Sequence, residues 1–97
     1  MEAEYLGRAQ LLKALSHPVR LRIVHGLLKT GCHNVSCMEE KTGMSQSCIS
    51  QHLQKLRLAG IVSAQRMGNE VYYSVTSDTV AKVVAALFEE EAEGYVL

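Results

Sequence analysis

The sequence predicts a mainly α domain built of four helices, a small β-hairpin and a fifth helix. Three observations carry this. Capping residues and glycines divide the middle of the chain into two helices separated by a tight turn, the spacing of a helix-turn-helix. Two β-prone runs flank Gly68-Asn69 directly afterwards, and an apolar stripe at helical spacing follows them.

Residues 3–15 (α1) carry Tyr5, Leu6, Ala9, Leu12 and Leu15 at helical spacing. Ser16-His17-Pro18 stops that helix and opens the next, since proline is tolerated in a first turn. The second helix (α2), with Pro18 in its first turn, runs to about Lys29, with Val19, Ile23, Val24, Leu27 and Leu28 as an inward stripe before Thr30-Gly31 ends it. Ser36-Cys37-Met38-Glu39 reads as a capping box, so a short third helix (α3) is expected to begin at Ser36. Gly43 supplies the turn. Ser45 then caps a longer helix, Ser45 to Ala59 (α4), which points Ile49, Leu53 and Leu56 inward and ends at Gly60. Residues 61–66 (β1) and 71–75 (β2) form the hairpin around Gly68-Asn69, a pair suited to positive φ. Ser77 or Asp78 caps the last helix, residues 78–93 (α5), whose Val80, Val83, Val84, Leu87 and Phe88 make a stripe that needs a partner. The predicted order is α1-α2-α3-α4-β1-β2-α5 in one domain over residues 1–97.

With 47% hydrophobic and 21% charged residues and a single proline, the composition is that of an ordinary globular domain and excludes a disordered linker. No apolar stretch approaches the roughly 20 residues of a bilayer-spanning helix. Met1-Glu2-Ala3-Glu4 has neither the basic nor the apolar part of a secretory signal, so a cytoplasmic location is expected. There, three cysteines read as thiols available to a metal or an oxidant rather than as a disulfide framework. The core of so small a domain is thin, with no Trp and one Phe. Pairing the terminal helices 3–15 and 78–93 of two copies would enlarge it, so a two-fold homodimer is expected.

The net charge of zero conceals an asymmetry. From Tyr5 to Asn69 nine Lys or Arg stand against Glu39 and Glu40, a net +7, whereas Glu70 to Leu97 carries a net −5 and Glu2 and Glu4 supply the remaining −2. One side of the molecule is therefore suited to a polyanion. The second helix of a helix-turn-helix enters the DNA major groove, and here its first turns offer Gln46, Ser47, Ser50 and Gln51, with Lys55 further along for a phosphate. Glutamine can pair with adenine in two places, while hydroxyls and free helix-start N–H groups hold phosphates. Arg66, before the hairpin turn, is placed to reach the backbone or the minor groove. Taken singly each of these is ordinary solvated surface; together, in this arrangement, they point to double-stranded DNA.

The segment Met44-Ser45-Gln46-Ser47-Cys48-Ile49-Ser50-Gln51-His52-Leu53-Gln54-Lys55-Leu56-Arg57-Leu58-Ala59-Gly60-Ile61-Val62 closely resembles the recognition helix of ArsR/SmtB winged-helix repressors. Leu15-Ser16-His17-Pro18-Val19-Arg20-Leu21-Arg22-Ile23 resembles that family's second-helix opening, and Gly68-Asn69-Glu70-Val71-Tyr72-Tyr73-Ser74-Val75 its wing. The resemblance implies a winged-helix homodimer that represses from an operator, needs no cofactor to bind it, and leaves when an effector binds. It places the DNA contacts on Gln46, Ser47, Ser50, Gln51 and Arg66, and makes His52 mainly a packing and hydrogen-bonding residue.

The departures from the family pattern concern sensing. At the start of the last helix Asp78 is followed by Thr79 and Val80, without the His that completes one of the family's metal sites. The family's Cys-x-Cys positions hold Asn34 and Ser36. Thiols lie nearby instead: Cys32 and Cys37 around the start of the third helix, and Cys48 in the first turn of the fourth. Helix-start dipoles favour thiolate. These cysteines could take a thiophilic metal ion or arsenite as effector, or Cys32 and Cys37 could form a disulfide or polysulfide bridge as a redox or reactive-sulfur switch, or they could be packing residues. His17 and His25 read as structural, and Met38, Met44 and Met67 as gap fillers. No paired carboxylates, phosphate loop or nucleophile elbow suggests an enzyme. The other rival is a winged-helix module that binds proteins, whose affinity, unlike that of a DNA binder, would change little with salt.

Overall fold

The computed structural model describes residues 2–29 and 31–88. Its elements follow the expected order: α1 Glu2–Leu15, α2 Pro18–Lys29, α3 Val35–Thr42, α4 Gln46–Leu58, β1 Val62–Met67, β2 Glu70–Val75 and α5 Asp78–Phe88. The part of α5 expected over residues 89–93 lies outside the described residues.

Helices α3 and α4 form the helix-turn-helix. Gly43 sits between them at φ 73°, a left-handed conformation that a side chain would strain, and its N–H closes α3 on the Glu39 carbonyl. Ser45 caps α4 as expected, its Oγ accepting from the Cys48 N–H at 3.2 Å. The cap of α3 differs from expectation. Asn34, not Ser36, is its N-cap: Asn34 Oδ1 accepts from the Cys37 N–H at 2.8 Å, and the helix begins at Val35. Asparagine is as good a cap as serine, and tertiary contacts of residues 33 and 34, described below, fix the entry of the chain here.

The two strands pair antiparallel, with Met67 opposite Glu70 and Val62 opposite Val75, around a turn in which Gly68 takes φ 67°. The core gathers under them. Ile23, Val24 and Leu27 of α2, Ile49, Leu53 and Leu56 of α4, and Val80 and Val84 of α5 are buried against Ile61, Val62 and Met38. Periodicity placed these inward residues correctly, but the ends of its stripes face out: Leu28, Leu87 and Phe88 are exposed. Met67 is exposed as well, so it fills no gap in this chain. On α1 only Leu15 is buried, and Tyr5, Leu6 and Leu12 are open to solvent. Two apolar grooves, of about 230 and 280 Å³, run between α1 and α5 and share Leu12, Leu15 and Val83. No described helix is long and apolar enough to cross a membrane.

Candidate nucleic-acid interface

One face of α4 stays polar because the other is committed to the core. Gln46, Ser47, Gln51 and Lys55 are exposed and Ser50 half-buried, whereas Ile49, Leu53 and Leu56 are buried. The structure brings Gln46 and Ser50 together with the wing. Both line an open polar cleft of about 340 Å³ whose other walls include Asn34, Asn69, Glu70 and Val71. Arg66 stands exposed on β1 opposite Val71, one residue from the hairpin turn's flank. Gln51 and Lys55 lie on the same helix beyond this cleft. The arrangement presents hydrogen-bonding side chains at the helix start and cations at its far end and on the wing, the distribution that base edges and phosphates require.

Behind α4 a basic cluster anchors the helix to the rest of the domain. Arg20 donates to the Ala14 carbonyl and, at 3.3 Å, to His52 Nδ1. The His52 ring lies 4.6 Å from that of His17, whose Nδ1 accepts from the Val19 N–H and so caps α2. Burial, and then the charges of His17, Arg20 and Lys55, push the His52 pKa below the ordinary histidine value of 6.5. Neutral His52 can accept from Arg20, which fixes α4 against α2; this is the packing and hydrogen-bonding role expected of it. His25, the other structural histidine, stacks on Phe88 at 3.8 Å.

The cysteines separate into a pair and a single. Cys32 and Cys37, five apart in sequence with Cα atoms 5.7 Å apart, are joined in a disulfide. Cys48 is a free, half-buried cysteine in the first turn of α4. Cys32 is in the core and also lines a cavity of about 270 Å³ between α2 and α3, with Arg22 and Lys41 among its walls. Bonded sulfurs are not thiolate ligands, and no group of three or more His, Cys, Asp or Glu side chains among the described residues is gathered to hold a metal ion. The donor set in this form does not fit a thiophilic ion.

Sequence reasoning missed His33 and Asn34, which lie inside the disulfide ring and touch the wing. The Tyr73 N–H donates to the His33 carbonyl at 2.8 Å, and His33 Nδ1 donates to the Tyr73 carbonyl at 3.1 Å. Asn34 Nδ2 donates to Glu70 Oε1 at 3.0 Å. The signal for Asn34 was present in its residue type, a strong cap, but the Ser36 capping box competed with it. Nothing local marks His33, whose partner is 40 positions away.

Comparison with known proteins agrees with this architecture. Residues 17–64 match the family model described as bacterial regulatory protein, arsR family. The nodulation protein NolR of Rhizobium meliloti is 43% identical over 81% of this chain, which spans 64% of that relative's length. The transcriptional repressor PagR of Bacillus anthracis is 38% identical, over 81% of this chain and 79% of PagR. Among solved structures, reduced HlyU from Vibrio cholerae N16961 superposes with a TM-score of 0.83 at 30% identity, covering 100% of this chain and 97% of that one. The polar face of α4, the hairpin beside it and these relatives converge on one statement: the chain belongs to the ArsR family of bacterial winged-helix transcriptional regulators.

Proposed function

We propose that the protein is a homodimeric, operator-binding repressor whose grip on DNA is set by the redox state of Cys32 and Cys37. Gln46, Ser47, Ser50 and Gln51 read base edges and phosphates in the major groove, Lys55 holds a phosphate, and Arg66 extends the contact from the wing. Two copies join through α1 and the described part of α5, where exposed Leu12 and Leu87 flank the apolar grooves. Such a dimer presents two recognition helices to the two halves of a symmetric operator. The repressor meets its DNA in the cytoplasm.

The observation that carries the regulatory part is the Cys32–Cys37 disulfide at the entry to the helix-turn-helix. It favours the redox reading over a thiophilic metal ion or arsenite, because the same two sulfurs cannot be a disulfide and a thiolate site at once. Oxidation is balanced with hydrogen peroxide: the two thiols give up two electrons and two protons, the S–S bond forms, and the peroxide is reduced to two molecules of water. A dithiol reductant reverses the step by exchange.

The test is fluorescence anisotropy on DNA from just upstream of the protein's own gene, with the protein reduced, oxidised, or carrying Cys32→Ser and Cys37→Ser. Binding of the reduced and double-Ser proteins, at least about tenfold tighter than that of the oxidised protein and falling steeply with salt, is expected. Equal affinity of the reduced and oxidised forms refutes the redox reading. Affinity indifferent to salt refutes the phosphate contacts, and no binding in any state moves the reading to a protein partner.

A further inference from the structure

We infer that His33 and Asn34 form the mechanical link through which the cysteine pair acts on the wing, with Asn34 and Glu70 as its positioning residues. The inference rests on the redox reading above and deepens it. A disulfide buried at a helix entry changes DNA affinity only if some contact carries its state to a surface that DNA touches.

The path is short and continuous. Cys32 and Cys37 close a ring containing residues 33–36. Within that ring the His33 main chain and side chain hold both the N–H and the carbonyl of Tyr73. Tyr73 is opposite Ala64 in the hairpin, yet its N–H turns away from β1 to His33. His33 therefore covers the outer edge of β2 at Tyr73. Asn34 acts in two directions at once. Its oxygen caps α3 on the N–H of Cys37 itself, and its amide nitrogen holds Glu70, the first residue of β2 after the wing turn.

Glu70 lies in the cleft that Gln46 and Ser50 line. Its carboxylate is tied to Asn34, so the first residue of β2 and the base of the wing are tied to the entry of α3. With the pair oxidised, the ring fixes residues 33 and 34, and through them the base of the wing relative to α3 and α4. With the pair reduced, the segment regains backbone freedom, and the wing is released from this edge to settle on the DNA backbone.

The experiment measures, for each variant, the ratio of operator Kd between the oxidised and the reduced protein. Comparing ratios removes the gain in affinity that any loss of the Glu70 charge produces equally in both states. Glu70→Ala, which removes the acceptor, and Asn34→Asp, which keeps the cap oxygen but lacks the amide donor, are expected to shrink the wild-type ratio to within about threefold of unity. Glu70→Gln keeps a carbonyl acceptor and retains the wild-type ratio. A second readout is hydrogen exchange at the Tyr73 amide, which quickens at least about tenfold on reduction of the wild type while amides directed at β1 do not.

A wild-type ratio of one overturns the redox reading itself, and the link with it. A large wild-type ratio that Glu70→Ala and Asn34→Asp both keep, with Tyr73 exchange unaltered by reduction, overturns the link alone and leaves the redox reading standing.

Discussion

Reducing the Cys32–Cys37 bridge should lower the stability of the domain by a modest and calculable amount. The bridge closes a loop with a sequence separation of 5. Loop-closure entropy for a ring of that size comes to about 7 cal/mol/K, or about 2 kcal/mol at 25 °C, removed from the unfolded chain by the cross-link. An unfolding entropy of about 2 cal/mol/K per residue converts this, for a chain of 97 residues, into a fall in Tm of about 10 °C on reduction. The assay is thermal unfolding by circular dichroism with and without a dithiol, at matched protein concentration because the proposed association of two copies makes the Tm depend on it. The Cys32→Ala, Cys37→Ala protein should melt at or slightly below the reduced wild type, since Cys32 also packs in the core. Oxidised and reduced melts that coincide within about 2 °C would refute the reasoning, because a closed ring must restrict the unfolded chain.

Three further outcomes test other parts of the molecule. Gln51→Ala should relax base preference at one operator position by about 1 to 3 kcal/mol, read from anisotropy against single-base operator variants; an unchanged preference removes Gln51 from direct readout. Because the pKa of His52 is lowered in the folded protein, the unfolded chain binds more protons just below pH 6.5, so this share of stability is complete above that value and is lost as pH falls through the window beneath it. The Tm difference between about pH 7.5 and about pH 5.5 should accordingly be smaller in His52→Gln than in the wild type, and an equal difference would show that another group titrates. Leu12→Glu places a carboxylate beside both grooves between α1 and α5 and removes about 1.5 to 3 kcal/mol of apolar burial per copy from the proposed two-fold interface. Sedimentation should then show a monomer with weakened operator binding, and a variant that stays dimeric would move the interface elsewhere.

What was legible in the sequence was whatever neighbouring residues decide. Ser45 caps α4, Gly68 turns the hairpin, and Val80 and Val84 face inward because each follows from a local spacing or a backbone requirement. Exposure at the ends of the stripes was not legible, since Leu87 and Phe88 satisfy helical periodicity whether their partner is the same chain or a second copy. The start of α3 was misjudged for a different reason. Asn34 and Ser36 are both good caps two positions apart, and the choice between them falls to the contacts that His33 and Asn34 make with β2, far along the chain. The polar face of the recognition helix was readable residue by residue; its joint cleft with the wing, in which Gln46 and Ser50 meet Asn69 and Glu70, depends on how α4 and the hairpin pack.

The size of the disulfide ring constrains how the proposed switch can work. A domain of this length holds a stability of about 5 to 15 kcal/mol, so losing about 2 kcal/mol leaves the folded state dominant in both redox forms. The proposed redox control of DNA binding therefore cannot come from unfolding the reader head. Nor does the ring span α3 and α4, since both cysteines lie between the end of α2 and the first turn of α3. What the ring does enclose is the two residues hydrogen-bonded to the wing, so the proposed switch acts where His33 and Asn34 grip β2. A small local change suffices. A tenfold change in operator affinity requires only about 1.4 kcal/mol of differential binding, less than the free energy the ring stores in the unfolded chain and comparable to one or two hydrogen bonds held or released at the base of the wing.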